Sequence, residues 1–97
     1  MTDEPTCITV DWSTVAAPDQ LFDVVLPQMG APSWHGRNLD ALNDSWVTGG
    51  ICANGPPFVY RFINDVPSDA MAKYRTIVEQ IARDSVRENG GRLILRR

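Results

Sequence analysis

Apolar and polar residues alternate from Cys7 to Trp12, and a period of two is the spacing of a β-strand. After a break from Ser13 to Pro18 the spacing changes. Leu21, Phe22, Val25 and Met29 recur at helical intervals, Pro18 suits a first turn, and Asp19 sits beside the positive end of the helix dipole. Gly30 supplies a stop. Pro27 has no N–H to give, so an early end or a kink is expected there. A loop at Gly30-Ala31-Pro32-Ser33 leads to a second helix, expected from near Asn38 to Val47. Asn38 is its N-cap, Asp40 lies in its first turn, and Thr48-Gly49-Gly50 ends it. Phe58 to Ile63 is a dense β-branched and aromatic run, the pattern of a buried strand. Ser68 is the expected cap of a long third helix whose apolar face is Met71, Tyr74, Val78, Ile81 and Ala82. Asn89-Gly90-Gly91 stops it, and Leu93-Ile94-Leu95 forms a last short strand.

The order is β-α-α-β-α-β. The helix between the last two strands is long enough for a crossover, which favours parallel pairing and a right-handed connection. The expected fold is α/β: a small three-stranded, mainly parallel sheet with packed helices, as a single domain over residues 1–97.

Charge narrows the partners. The net charge is −3 and the sequence pI about 4.9. Phosphate neutralisation needs a basic patch, so direct nucleic-acid binding is not expected, whereas a basic protein partner is. No apolar run approaches the ~18 residues of a membrane span. The N-terminus carries Asp3 and Glu4 where a signal peptide would be positive. Cys7 and Cys52 do not make a disulfide framework, and Cys7, in an apolar run, reads as a buried free thiol. A reducing, cytoplasmic setting is the expectation.

At roughly 100° per residue, Leu39, Leu42 and Trp46 share one stripe of the second helix, and Asp40 and Asp44 lie nearly opposite, one turn apart. When the apolar stripe packs on the sheet, the two carboxylates point at solvent. Taken singly, Trp34 reads as a core tryptophan and His35 as an ordinary surface histidine. As a run, Trp34-His35-Gly36-Arg37 before an acidic helix reads as an exposed platform, with Gly36 permitting a tight turn and close approach of another backbone.

The run Trp34-His35-Gly36-Arg37-Asn38-Leu39-Asp40-Ala41-Leu42-Asn43-Asp44 resembles the signature of the barstar family, bacterial inhibitors of barnase-type ribonucleases. Trp34 and His35 fall on its aromatic pair, Asn38 to Leu42 match directly, and Asp44 falls on the acid that family members insert into the nuclease site. Thr48-Gly49 is similar to the family's helix-ending pair, displaced by one residue. Asn43 stands where the family often has Trp, and His35 where it often has Tyr. The archetype's further acid late in the long helix has Asp84 and Glu88 as candidates. The resemblance implies a barstar-like fold and a 1:1 complex with a basic ribonuclease or nuclease toxin domain. The partner-binding residues it implies are Trp34, His35, Gly36, Asn38, Asp40, Asn43, Asp44, Thr48 and Gly49. It implies no cofactor, no metal and no catalytic residue.

Asp44 is then expected to stand where a phosphate oxygen would sit, with Asp40 on a neighbouring basic residue or the rim. Asn38 caps the helix, Trp34 supplies flat apolar area, and His35 touches the enzyme surface or a base pocket. Other readings remain. The chain could be an immunity protein for a nuclease toxin that is not barnase-like, or a regulator of this fold without a nuclease partner. As an enzyme it would depend on its single histidine, His35, with Asp40 or Asp44 as acid and base, or on a divalent metal held by the three. It has no phosphate loop, no dinucleotide-binding glycine pattern and no Cys/His metal cluster.

Overall fold

The computed structural model describes residues 5–97, so the acidic start of the chain, Met1 to Glu4, lies outside them. Strand β1 is Thr6–Asp11, helix α1 Pro18–Met29, helix α2 Leu39–Asn43, strand β2 Phe58–Ile63, helix α3 Ala72–Asn89 and strand β3 Gly91–Leu95. The strands lie in the order β1-β2-β3, and both pairs are parallel. This is the α/β architecture that the pattern predicts.

Alternation along the strands sends Ile8, Val10, Phe58, Tyr60 and Phe62 into one core with Leu21, Phe22, Val25 and Met29 of α1. Leu42 and Trp46, with Val78, Ile81 and Ala82 of α3, complete it. All three helices therefore pack on one face of the sheet. Right-handed crossovers that step the same way across a 1-2-3 order can only do this. The same alternation corrects Cys7. It is exposed, because with Ile8 and Val10 inward its side chain must point to the other face.

Several boundaries differ from the sequence pattern. Trp12 leaves the strand and enters a short 3-10 turn, Trp12–Thr14, while remaining buried. Asp11 caps that turn by accepting from the Ser13 N–H at 3.0 Å. Helix α1 does not stop at Pro27 but runs through it to Met29. Pro27 sits in the last turn, so the bond it cannot donate to the Asp23 carbonyl is lost only at the helix end, and Gly30 in the left-handed region closes that end by donating to Leu26 and Pro27. Ser68 does not cap α3 with its side chain. It precedes a 3-10 turn, Asp69–Met71, in which its backbone carbonyl accepts from the Met71 N–H at 2.9 Å.

Both outer strands are sheet edges, and β1 is stoppered. The Thr9 N–H donates to Gln28 Oε1 at 2.8 Å, and Gln28 Nε2 donates to the Thr9 carbonyl at 2.8 Å. One side-chain amide from α1 thus imitates a neighbouring strand residue. At the other edge, Gly91 has φ +88°, and a Cβ there would collide with the backbone carbonyl of Phe58.

Candidate functional site

Helix α2 begins on Asn38, whose side-chain oxygen accepts from the Ala41 N–H at 2.8 Å. The capping role read from sequence is the one observed. Gly36 fits closely under the same cap, since a Cβ there would lie 3.0 Å from both Ala41 Cβ and Asn38 Nδ2 and those side chains would have to give way. After Asn43 the helix widens. Asp44–Thr48 is a π-helical turn, closed by the Gly49 N–H on the Asp44 carbonyl at 2.8 Å. Gly49, at φ +80° and with Pro56 Cδ only 2.9 Å from where a Cβ would be, is held to glycine on two counts.

Through this mixed helix Leu42, Ser45 and Trp46 face the core, and Asp40, Asp44 and Thr48 face out. Trp46 is the anchor. Its ring packs on Tyr60 at 4.5 Å between centroids, and its Nε1 donates to Met29 Sδ at 3.2 Å. Tyr60 in turn donates to Ser85 of α3 at 2.7 Å. From the C-terminus of α3, Asn89 reaches the carbonyls of the π turn. Nothing in a sequence pattern marks Asn89 for this, beyond its place at a helix end.

The platform before α2 divides. Trp34 is 73% exposed and is not a core residue. It stands on the turn closed by the His35 N–H on the Pro32 carbonyl, so its indole faces solvent. His35 is only 7% exposed, which corrects the expectation of an exposed aromatic pair. Its Nδ1 lies 2.7 Å from the Gly36 carbonyl, which can only accept, so Nδ1 carries the proton. Nε2 lies 2.6 Å from the Ser45 hydroxyl, and in the Nδ1–H tautomer it is the acceptor of that bond. A serine hydroxyl on an imidazole is also the pairing of a hydrolase nucleophile and its base. Here Ser45 is 2% exposed, beneath the platform, and the contact fastens the loop to α2.

A second fastener comes from Arg37, which the sequence pattern leaves unassigned. It donates to Asp19 at 2.7 Å and to Asp23 at 2.7 Å, tying the loop to α1. Its guanidinium also lies 5.9 Å from the Phe22 ring centroid. These bonds hold its pKa above the ordinary arginine value. Arg37 thereby neutralises the α1 acids, whereas Asp40 and Asp44 have no ion-pair partner among the described residues. Two uncompensated carboxylates thus face solvent side by side, Asp40 on α2 and Asp44 at the start of the π turn.

Asn43 is half-buried between the two acids. On α3, Asp84 is held by Arg87 at 2.7 Å and by Gln80 at 3.0 Å. Glu88 is the freer of the two candidates, with its side chain 60% exposed and Arg87 no nearer than 3.8 Å. Among the described residues no three His, Cys, Asp or Glu side chains converge as metal ligands, and no helix is long and apolar enough to cross a membrane.

A parallel α/β domain with one acidic helix raised from its helical layer belongs to a recognisable class, and the family model described as Barstar (barnase inhibitor) matches residues 6–94. The chain is a member of the barstar family. No curated protein matches it. Family membership makes it a relative of barnase-type ribonuclease inhibitors, whose class of partner is a ribonuclease.

Proposed function

We propose that this chain binds one ribonuclease molecule and blocks its active site with the surface formed by Trp34, Asn38, Asp40, Asn43, Asp44, Thr48 and Gly49. A nuclease that grips an RNA phosphate lines its site with arginine, lysine and histidine. The observation that carries the reading is the pair of exposed carboxylates, Asp40 on α2 and Asp44 at the start of the π turn, without counterions among the described residues, on a mixed helix anchored by Trp46 and the His35–Ser45 bond. Asp44 takes the place of a phosphate oxygen, and Asp40 meets the basic rim. Trp34 supplies flat apolar area beside them. Gly36 and His35 act from beneath, by shaping and fixing the loop. Glu88 supplies an additional acid from α3.

Asn43 in place of an aromatic residue favours a target whose rim differs from that of barnase, which includes nuclease toxin domains of other folds. The free thiols of Cys7 and Cys52 suit a reducing compartment, where such an antidote would protect the cell that makes it.

Titration of a barnase-type ribonuclease with the purified chain, followed by RNA hydrolysis, tests the reading. Activity should fall linearly to zero at one equivalent, with Asp44→Ala weakening the complex. RNA hydrolysis by the chain alone, abolished in His35→Ala, would overturn it.

A further inference from the structure

With every helix on one side, the second face of the sheet has no helix against it among the described residues. Parallel sheets are almost always covered on both faces, because their strands expose apolar side chains both ways. Strand register builds this face in rows. Cys7, Val59 and Arg92 form one row, and Thr9, Arg61 and Ile94 the next. Ile63 follows beside Asp11. Val59, Ile63 and Ile94 are partly exposed there, around an exposed Arg61 at the centre of the middle strand.

The charge on this face opposes that of the molecule. Arg61 and Arg92 have no ion-pair partner among the described residues. Among the described residues the one acid of the face, Asp11, is at its end and is already bonded to Ser13 and Asn64. A chain of net charge −3 thus presents a basic, partly apolar sheet face opposite its acidic helix.

We infer that this uncovered face is a second docking surface, and that its occupant is an acidic amphipathic helix of a partner protein laid over Val59, Arg61 and Ile94. A helix is the element that normally covers a parallel sheet. Its apolar stripe would take Val59, Ile63 and Ile94 out of water, and flanking glutamates or aspartates would pair with Arg61 and Arg92. The face does not suit single-stranded nucleic acid, which needs aromatic rings to stack on. The aromatic residues lie elsewhere, Phe58, Tyr60 and Phe62 of β2 all pointing into the core. A second copy of the chain fits poorly, because a two-fold axis through the middle of the face would set Arg61 against its own equivalent. The nuclease-facing residues are on the helical layer, so both surfaces can be occupied together.

The test uses the full chain and a synthetic helical peptide of about 18 residues with leucine at core-facing spacing and glutamate elsewhere. A second peptide replaces every glutamate with lysine. The glutamate peptide should shift the backbone amide resonances of Cys7, Val59, Arg61 and Ile94 and leave those of α2 in place. The lysine peptide should bind at least about tenfold more weakly. Arg61→Glu should weaken the glutamate peptide by about tenfold or more while nuclease inhibition is retained. Equal binding of the two peptides to the natural chain, shifts confined to the helical layer, or no binding would overturn the inference without any variant being needed. So would self-association that Arg61→Glu abolishes, or tighter binding of an oligonucleotide or of anionic lipid vesicles to the same face.

Discussion

Asn89, the last residue of α3, donates its side-chain amide to the carbonyl of Val47 at 2.7 Å. The π turn leaves its final carbonyls without helical partners, and this amide meets them from a separate helix. Asn89→Ala should therefore cost about 1 kcal/mol of stability, the low end of the penalty for stranding a buried acceptor, because this one is part-buried. Urea denaturation measures it, and an unchanged midpoint would mean that water replaces the bond.

The hydroxyl of Ser45 is the hydrogen-bond partner of His35 Nε2, so Ser45→Ala leaves that nitrogen buried and unpaired. A loss of about 1–3 kcal/mol is expected by denaturation. The platform should also loosen. A faster dissociation rate from the nuclease, with an unchanged association rate, would distinguish this from a purely structural loss.

Asp44→Ala should separate binding from folding. Truncating one partner of a buried interfacial charge pair costs about 2–5 kcal/mol, a range to which the barnase–barstar pair itself contributes. An exposed side chain typically changes stability by no more than about 0.5 kcal/mol. Calorimetric titration and a melting curve read the two quantities. A large drop in Tm with unaltered affinity would make Asp44 structural.

Association should depend on salt. The Debye length falls from about 30 Å at 0.01 M to about 3 Å at 1 M, so screening should slow the encounter far more than it speeds dissociation. Asp40→Asn with Asp44→Asn should both lower and flatten the dependence in stopped-flow mixing. Identical salt profiles for the natural and substituted chains would place the steering charges elsewhere.

Acid should destabilise the fold through Glu79. Burial pushes its pKa up, but bonds from Arg83 and Arg75 outweigh burial and hold it below the ordinary value of 4.5. A depressed folded pKa gives stability that is complete above the unfolded value and is lost as pH falls through the folded one. Between about pH 5 and pH 3 the natural chain should lose more melting temperature than Glu79→Gln does. Parallel curves would show that the Arg75 and Arg83 contacts are not sensed by titration.

Much of this was legible in sequence because periodicity reports burial. The strands and the apolar faces of α1 and α3 follow from spacing, and Asn38 announced the start of α2. What escaped depends on partners far along the chain. His35 is buried because Ser45, ten residues later, meets its ring, and no local pattern encodes that. Arg37 occupies a variable position of the signature, yet it clamps two acids on α1. Cys7 sits in an apolar run but on the outward phase of its strand. The displaced Thr48-Gly49 pair was visible as an irregularity. The π turn is its physical form, since a wider turn takes one more residue while Asp40 and Asp44 still face solvent.

The amide of Gln28 has a consequence for abundance. Crowded copies with open strand edges tend to join. By satisfying both backbone groups of Thr9, Gln28 closes that side to recruitment without lengthening the chain or adding charge. A concentrated store of the chain therefore has no free Thr9 backbone pair through which β1 edges could join.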